Sequence, residues 1–487
     1  MADCCAPKNN NNGRYDVAVI GAGSAGFSAA ITAAEQGARV ALIGHGTIGG
    51  TCVNVGCVPS KTLIRAAEAV HGLSALRRFA GLDGSAKVND WATLIAQKDD
   101  LVSTLRQAKY ADLLPHYDGI TYLEGQARLE PDGVQVNGSL LKAGKTIITT
   151  GARASAPPIL GIETVPYLTS TTALALEHLP KSLLIIGGGV IGCELGQIFA
   201  RFGVRVTICC RSRLLPEMEP EISEALKQYL EAEGIEVCTG IGYQKLEQTP
   251  EGVALSCESL NCDQDGACDT VAAERVITAE KLLVATGRRP NTDGMGLEDL
   301  GVTLARNGGI AVDDYLQTSV PGIYAAGDVT GRDQFVYMAA YGAKLAARNA
   351  MGGNSHRYDN STMPAVVFTD PQVASVGLTE AQAHQAGYEV KVSLLQLNQV
   401  PRALVARDTR GLIKLIADAA SDKLIGAHLI APEGADTIQT ASLAIKYGMT
   451  TADLGATIFP YLTTVEGLKL AAQTFGKDVK LLSCCAG

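Results

Sequence analysis

Two glycine-rich turns constrain the fold of this chain more than any other feature, because each lies between a short apolar run and a predicted helix. The first turn follows residues 16–20 and the second follows residues 182–186. The turn positions are Gly21, Gly23, Ser24 and Gly26 in the first copy and Gly187, Gly189 and Gly192 in the second. Glycine lets a chain turn tightly and approach a pyrophosphate, whose charge then lies at a helix N-terminus. One such turn is weak evidence, but two in this setting predict two dinucleotide-binding sites.

The order of strands and helices around these turns predicts the domain organisation. Strands alternate with helices after both turns, which is typical of parallel sheets covered by helices on both faces. From about residue 364 the pattern changes to mixed strands and helices. We therefore predict an α/β fold with two Rossmann-like nucleotide-binding domains, one inserted in the other, and a C-terminal α+β domain. The predicted boundaries are a polar leader at 1–14, a first domain at 15–155 and 281–355, an inserted domain at 156–280 and a C-terminal domain at 356–487.

The net charge and the cysteine content indicate which binding partners and which cellular compartment to expect. The net charge of −9 argues against a nucleic-acid partner, for which a basic face is expected. No stretch is long and apolar enough to cross a bilayer, and no apolar secretory signal precedes Tyr15. We therefore expect a cytoplasmic protein that does not contact the membrane and whose thirteen cysteines are mostly reduced. In that compartment a disulfide tends to be catalytic rather than structural.

The end of the second strand in each copy indicates which dinucleotide is bound. An acid at this position usually bonds the ribose hydroxyls. In the first copy Gly44 and His45 stand there, which departs from the pattern and leaves one adenosine contact unexplained. In the second copy Arg211 and Arg213 follow the strand without an acid, which favours a 2′-phosphate and hence NADPH over NADH. Two solvated surface arginines are the alternative interpretation.

Cys52 and Cys57 are separated by four residues in the segment 49–61, directly after the first βαβ start. They could close a small disulfide loop, and near a helix start each thiolate would be stabilised. The segment, which ends at Lys61, resembles the redox-active motif of the pyridine nucleotide-disulfide oxidoreductases. This flavoenzyme family includes glutathione reductase and dihydrolipoamide dehydrogenase. The resemblance extends over nearly the whole chain and includes residues 286–291, 326–328 and 369–377.

The resemblance implies cofactors and roles for particular residues. The first glycine turn and Asp328 would bind FAD, and the second turn would bind NADPH. Cys57 would lie against the flavin, with Cys52 as the interchange thiol. Lys61 and Glu194 correspond to the family's ion pair beside the flavin. The further cofactor-binding positions implied are Gly50, Thr51, Gly151 and Gly287. The C-terminal domain is similar to the family's interface domain, which implies a homodimer.

Tyr461 marks a departure from the disulfide reductases of this family. Those enzymes carry a histidine near the C-terminus, with a glutamate five residues later, and the pair shuttles protons for a thiol leaving group. Here Glu466 is retained, but Tyr461 stands at the histidine position. A phenol with an ordinary pKa of about 10 is a poor proton shuttle at neutral pH. The substitution therefore disfavours a disulfide substrate, although a core-packing role for the tyrosine is equally compatible with the sequence.

The chain ends with the adjacent pair Cys484 and Cys485, which offers two soft ligands to a thiophilic metal ion. Together with Tyr461 and the segment 399–403, this pair resembles the mercury-reducing members of the family. The implied substrate is Hg(II) as a thiol complex. It would be captured by Cys484 and Cys485 of a partner subunit and passed to Cys52 and Cys57 for reduction.

Two other functions remain open at this point. One is a disulfide or dithiol reductase of the same family, such as a dihydrolipoamide dehydrogenase or a thioredoxin reductase. The other, of a different class, is a flavoprotein that binds mercury through its many cysteines without turnover. The cluster of Cys257, Cys262 and Cys268 is predicted to be non-catalytic. The leader pair Cys4 and Cys5 is interpreted as incidental thiols of a disordered leader, with a remnant metal donor as the alternative.

Overall fold

A computed structural model describes residues 14–262, 268–270 and 275–479 of the chain. The predictions for Cys4, Cys5 and the Cys484–Cys485 tail lie outside these described residues. Within the described ranges, no helix is both long and apolar enough to cross a membrane.

The N-terminal part begins with a strand, the first glycine turn and a helix, as the sequence predicts. Its elements are β1 (Arg14–Ile20), α1 (Ser24–Glu35), β2 (Val40–Gly44), α2 (Gly50–Val55), α3 (Cys57–Ser74), α4 (Trp91–Arg106), β3 (Ile120–Glu124), β4 (Ala127–Glu130), β5 (Gly133–Val136), β6 (Ser139–Ile148) and β7 (Ala152–Ala154). Strand β1 lies between β2 and β6 and is parallel to both. This central position explains why its run from Val17 to Ile20 is apolar without alternation and fully buried.

The middle part repeats this start and then adds an antiparallel sheet. Its elements are α5 (Ser170–Ala173), β8 (Ser182–Ile186), α6 (Val190–Arg201), β9 (Arg205–Cys209), α7 (Pro220–Ala232), β10 (Glu236–Cys238), β11 (Ile241–Thr249), β12 (Gly252–Cys262), β13 (Cys268–Thr270), β14 (Arg275–Ala279) and β15 (Lys281–Val284).

The remaining elements return to the first region and then form the C-terminal part. They are β16 (Arg288–Pro290), β17 (Ile323–Ala325), α8 (Val336–Gly352), β18 (Ala365–Val367), β19 (Gln372–Gly377), α9 (Glu380–Gln385), β20 (Val390–Gln396), α10 (Pro401–Val405), β21 (Leu412–Asp418), β22 (Leu424–Ala431), α11 (Gly434–Lys446), α12 (Thr451–Ala456) and α13 (Glu466–Gln473).

One compact unit comprises residues 14–60, 94–155 and 288–359. Its sheet has the order β3-β2-β1-β6-β5-β4, and β17 also pairs with β6. Strands β3, β2, β1, β6 and β17 are parallel, whereas β4 and β5 add antiparallel hairpins. Helices α1 and α8 pack against each other through alanines of a shared buried core. The small residues of α1 thus allow the helices to approach closely.

The second compact unit comprises residues 61–93, 156–287 and the described part of 360–487. It contains a parallel sheet of order β10-β9-β8-β15 and an antiparallel sheet built on β11, β12 and β14. A further antiparallel sheet has the order β18-β19-β22-β21-β20. The predicted fold class, α/β with a C-terminal α+β part, is confirmed.

The domain boundaries remain a prediction, and the two compact units divide the chain differently. Residues 61–93 belong to the second unit, and that unit also contains both 156–287 and the described part of 360–487. Strand β15 hydrogen-bonds to β8 along its whole length and belongs to the second unit. The first unit resumes only at Arg288, whereas the sequence predicts a return at residue 281.

Candidate active site

The two cysteines of the predicted redox pair lie at helix starts in the structure. Cys52 is the third residue of α2, and Cys57 is the first residue of α3. Gly56 separates the two helices, and a side chain there would come within 2.9 Å of the Thr51 carbonyl oxygen. Both cysteines are half-buried thiols. The backbone N–H groups and dipole at the start of α3 stabilise the thiolate form of Cys57.

Tyr110 lies close to this pair, although the sequence analysis did not identify it. Its hydroxyl is hydrogen-bonded to Ser24 Oγ at 2.9 Å, and its ring packs edge-on against Phe27 with a centroid distance of 4.9 Å. Burial raises the pKa of Tyr110, and negative charge on Cys52 and Cys57 raises it further. The phenol therefore remains protonated beside the thiols. No local motif could reveal this neighbour, because 52 or more residues of chain separate Tyr110 from the cysteines.

Tyr337 is a second tyrosine near Cys57 that the sequence did not reveal. Its ring stacks on Phe335 with a centroid distance of 5.3 Å. Burial raises the pKa of Tyr337, and the charges of Asp333 and Cys57 raise it further. A negative charge on Cys57 is therefore accompanied by neutral phenols in its surroundings.

The first glycine turn packs closely against neighbouring backbone at the start of α1. A side chain at Gly26 would come within 1.7 Å of the Gly21 carbonyl oxygen, and one at Gly50 within 2.6 Å of Gly23 Cα. No side chain caps the start of α1, so its N–H groups point out of the turn. This backbone approach fits the pyrophosphate of a dinucleotide. Ser24 is the first residue of α1, and Thr51, which follows Gly50 in the sequence, is exposed.

Asp328 lies in the same unit at the start of the short 3-10 helix Asp328–Thr330. Burial raises the pKa of Asp328, while Arg288 opposes this shift with its Nε 3.8 Å from the carboxylate. Gly151 adopts a φ of +71°, and its carbonyl accepts a hydrogen bond from the Asn291 N–H at 2.9 Å. A carboxylate and a sharp turn thus accompany the glycine turn in this unit, as expected for a site that binds a flavin dinucleotide.

Packing explains why glycine, and not an acidic residue, stands at position 44. A side chain at this position would come within 2.6 Å of the Tyr122 hydroxyl oxygen and 2.7 Å of Ala22 Cβ. Tyr122 therefore occupies the space into which an acidic side chain at the end of β2 would project.

The second glycine turn has the same geometry. Helix α6 starts after Gly189, and no side chain among the described residues caps it. A side chain at Gly192 would lie 2.0 Å from the Gly187 carbonyl oxygen. Gly287 adopts a φ of +125° in the same unit. After β9, Arg211 is exposed. Arg213 instead donates hydrogen bonds from Nη2 to two carbonyl groups of its own loop.

The carbonyl partners of Arg213 are those of Pro216 at 2.8 Å and Met218 at 2.7 Å. Arg213 therefore has a structural role in the loop, and the interpretation as a solvated surface arginine does not describe it. Arg211 is the better placed of the two for a phosphate ligand.

Lys61 and Glu194 form the ion pair that the family resemblance implies. Lys61 Nζ lies 2.7 Å from Glu194 Oε2, and it also lies 4.7 Å above the centre of the Phe368 ring. Glu194 is only 5% exposed, and its second oxygen accepts the Phe368 N–H at 2.9 Å. Both carboxylate oxygens are therefore satisfied, as a buried charge requires. Lys61 follows Cys57 by four residues on α3.

One face of α6 holds this arrangement in place. Glu194, Gln197 and Arg201 follow one another at spacings of three and four residues, which aligns them on the helix. Gln197 accepts the Asp370 N–H at 2.8 Å and donates to the Asp370 carbonyl at 2.9 Å. Arg201 is 4% exposed and pairs with Asp370 and Glu233. Glu194, Gln197 and Arg201 thus each bind the loop that carries Phe368 and hold it against α6.

Tyr461 lies in the turn before α13, and Glu466 is the first residue of that helix. Glu466 is buried, and its carboxylate accepts the Leu462 N–H at 3.1 Å. Leu462 adopts a φ of +61°, so the carboxylate stabilises a strained turn. Tyr461 is 49% exposed, and a core-packing role within this chain is therefore not supported. Glu466 acts here as a support for the turn that presents Tyr461.

The role of the cluster of Cys257, Cys262 and Cys268 remains a prediction, because the side chains of Cys262 and Cys268 lie outside what the structure describes. Cys257 donates to the Arg275 carbonyl at 3.4 Å, and the backbone of β12 and β13 pairs Cys262 with Cys268. The one acidic cluster with metal-like spacing among the described residues surrounds the ammonium group of Lys414 at 2.7–2.9 Å. The acidic residues are Glu219, Glu221 and Glu380. Each of the three carboxylates is therefore already ion-paired with the lysine.

Comparisons with known proteins agree with this geometry. A family model described as pyridine nucleotide-disulphide oxidoreductase matches residues 15–347, and a model of its dimerisation domain matches residues 363–472. The chain is 49% identical to the mercuric reductase of Lysinibacillus sphaericus, over 98% of this chain and 85% of that one. It is 46% identical to the mercuric reductase of Streptomyces lividans, over 97% and 98%. The solved structure of RclA from Escherichia coli, an HOCl-induced flavoprotein disulfide reductase, matches with a TM-score of 0.80 at 30% identity and covers 94% of this chain and 99% of RclA.

The buried ion pair gives a testable prediction. Lys61→Met leaves Glu194 as an unpaired buried carboxylate, so we expect the free energy of unfolding to fall by about 2–4 kcal/mol. The double variant Lys61→Met/Glu194→Gln should recover part of this loss, because both charges are removed together. Urea denaturation followed by circular dichroism measures the difference.

Lys245→Met is the matched control for this measurement. Lys245 forms an ion pair of the same length, 2.7 Å, with Glu247, but both side chains are about half-exposed. We expect a change below about 1 kcal/mol for this surface pair. Equal losses for the Lys61 and Lys245 variants would contradict the importance given to the buried pair.

Proposed function

We propose a function on the premise that the chain belongs to the pyridine nucleotide-disulphide oxidoreductases. The protein is an oxidoreductase that reduces mercury(II), the activity for which its relatives at 43–49% identity are named. The substrate is Hg(II) as a thiol complex, and the product is Hg(0). The observation that carries this assignment is the identity to mercuric reductases over nearly the whole chain.

The family uses a flavin and a pyridine nucleotide, which we assign here as FAD and NADPH. The positions proposed for FAD are Gly21, Gly23, Ser24, Gly26, Gly50, Thr51, Gly151 and Asp328, with Lys61 beside the ring. Gly187, Gly189, Gly192, Gly287 and Arg211 are proposed for NADPH. When bound, the two cofactors supply the electron pair for the reduction. The open starts of α1 and α6 support this assignment, because each offers unpaired N–H groups to a pyrophosphate.

Cys52 and Cys57 are proposed as the two ligands that hold Hg(II) for reduction. Thiolate exchange transfers the ion: two Hg–S bonds to the carrier sulfurs break and two form to the cysteine sulfurs. A carrier displaced by a protonated cysteine leaves as a thiol with that proton, and a carrier displaced by a cysteine thiolate leaves as a thiolate. A soft d¹⁰ cation strongly prefers two thiolates to oxygen ligands, so the exchange needs no acid catalyst of histidine type. The start of α3 favours the Cys57 thiolate, and the neutral phenol of Tyr110 adds no competing charge. Gain of two electrons gives Hg(0), and both thiolates are released unchanged.

Delivery of the metal is assigned to Cys484 and Cys485 of the partner subunit in a homodimer. The dimerisation-domain match at residues 363–472 supports the dimer. Tyr461 would border the metal during the transfer, and its exposure on a turn fixed by Glu466 is consistent with that role. The homodimer, the role of the tail and the cytoplasmic location remain predictions.

A disulfide reductase is the second candidate, because RclA is named as one and has a similar structure. Two features favour mercury instead. The identity to RclA is 30%, against 49% to a mercuric reductase. Tyr461 also stands where a proton-shuttling histidine would be required. A mercury-binding flavoprotein without turnover is disfavoured by the ion pair of Lys61 and Glu194, which binding alone does not need.

Substrate comparison tests the proposed function. We expect many turnovers of NADPH oxidation when the purified holoenzyme receives Hg(II) in excess low-molecular-weight thiol. Oxidised glutathione and lipoamide should give rates at background, because Tyr461 stands at the position of the histidine that would protonate a thiol leaving group. Turnover with a disulfide and not with Hg(II) would contradict the proposal. Consumption of one equivalent of NADPH per enzyme would indicate binding without catalysis.

The nucleotide preference gives a second prediction. Arg211→Ala removes the exposed guanidinium at the end of β9, so we expect the KM for NADPH to rise about tenfold and the KM for NADH to stay within about twofold. Arg205→Ala is the control, because Arg205 is exposed at the opposite end of the same strand. Steady-state kinetics with both nucleotides measures the ratio. An equal rise for NADPH and NADH would contradict a 2′-phosphate contact.

A further inference from the structure

The end of β2 lacks the acid that usually bonds the adenosine ribose of a dinucleotide, and the structure shows what has replaced it. This inference rests on the proposed binding of FAD at the first glycine turn. Gly44 ends β2, and the Gly21 N–H of the turn donates to the Ile43 carbonyl at 2.8 Å. The position is therefore in direct contact with the turn that would hold the pyrophosphate. Hydroxyl groups of a ribose placed there need a polar partner on the protein.

Tyr122 reaches this place from the neighbouring strand β3. Its hydroxyl oxygen lies 2.6 Å from where a Gly44 Cβ would stand, and Ala22 of the glycine turn lies on the same side. The ring is half-buried and packs against the core that α1 shares with β2. The phenol therefore presents a fixed hydroxyl group beside the turn. It also explains why only glycine is accommodated at position 44.

Glu124 brings a carboxylate to the same edge. Strands β2 and β3 are parallel, and Gly44 pairs in register with Glu124. Register partners in parallel strands point to the same face, and Tyr122, two residues earlier, shares that face. The Gly125 N–H donates to the Gly44 carbonyl at 2.7 Å, which holds the two strand ends together. The Glu124 side chain is exposed, and its carboxylate has no hydrogen-bond or ion-pair partner among the residues that the structure describes.

We propose that the ribose-binding carboxylate has moved from the end of β2 to the end of β3, where Glu124 and the Tyr122 hydroxyl bind the ribose hydroxyls of the adenosine half of FAD. Neighbouring strands lie about 4.8 Å apart, a distance that the flexible side chain of a glutamate can span. The carboxyl ends of parallel strands meet at one edge of the sheet, beside the start of α1. Burial of Tyr122, and after it the charge of Glu124, keep the pKa of the phenol above its ordinary value, so its hydroxyl remains a donor.

Titration of the apoprotein with FAD tests this proposal through binding and not through turnover. We expect Glu124→Gln to raise the Kd for FAD about ten- to a hundredfold, because a hydrogen bond to a charged group is lost. Tyr122→Phe should raise it about two- to tenfold. Glu35→Gln, which changes an exposed glutamate at the far end of α1, should leave the Kd unchanged. Quenching of flavin fluorescence reports the Kd, and equal thermal midpoints of the apoproteins show that the variants are folded.

An FAD analogue without the adenosine 2′-hydroxyl separates direct contact from a general effect of charge. The wild-type protein should bind this analogue at least about fivefold more weakly than FAD, whereas Glu124→Gln should bind the two equally. An unchanged Kd for FAD in Glu124→Gln, or the same loss on removal of the hydroxyl in both proteins, would overturn the proposal. Absence of FAD binding in the wild-type protein would instead contradict the proposed function, so the two failures are distinguishable.

Discussion

The buried carboxylate of Glu194 imposes a strict physical requirement on the second unit. A charge that is 5% exposed is tolerated only when both oxygens are satisfied, and Lys61 and the Phe368 N–H provide the two partners. These three residues are far apart in sequence, so a single charge fixes three segments of the chain. The same helix, α6, starts at the second glycine turn. The dinucleotide turn and the ion pair are therefore parts of one rigid element.

Cys52 and Cys57 are surrounded by a helix start that favours negative charge and by tyrosine side chains that stay neutral. The start of α3 favours negative charge on Cys57, whereas burial keeps Tyr110 and Tyr337 protonated. Thiolates next to neutral phenols suit the exchange of a soft metal ion, which needs nucleophilic sulfur and no proton shuttle. Disulfide chemistry differs because a thiol leaving group must be protonated, and Tyr461 is poorly suited to that task. The chemistry of the substrate thus agrees with the residue that departs from the family pattern.

Sequence reasoning predicted the features that depend on local spacing. The glycine turns, the cysteine pair and the alternation of strands and helices are all encoded within short segments, and the fold class follows from them. The resemblance supplied Lys61 and Glu194, which are 133 residues apart and could not be paired from spacing. Tyr110 and Tyr122 were missed because only the folded sheet brings them to the cysteines and to Gly44. Arg213 is also predicted to bind the cofactor, but its guanidinium donates hydrogen bonds to carbonyl groups of its own loop. Only the backbone conformation reveals these hydrogen bonds.

The release of elemental mercury tests the central claim most directly. Holoenzyme supplied with NADPH and radiolabelled Hg(II) in excess thiol should lose the label to the gas phase over many turnovers. The variant Cys52→Ser/Cys57→Ser, with the Cys484–Cys485 tail intact, should retain the label in solution, whereas Cys193→Ser, which changes a buried cysteine of α6, should volatilise mercury like the wild-type protein. Equal volatilisation by the double variant would show that Hg(II) is reduced without the cysteine pair and would contradict the account.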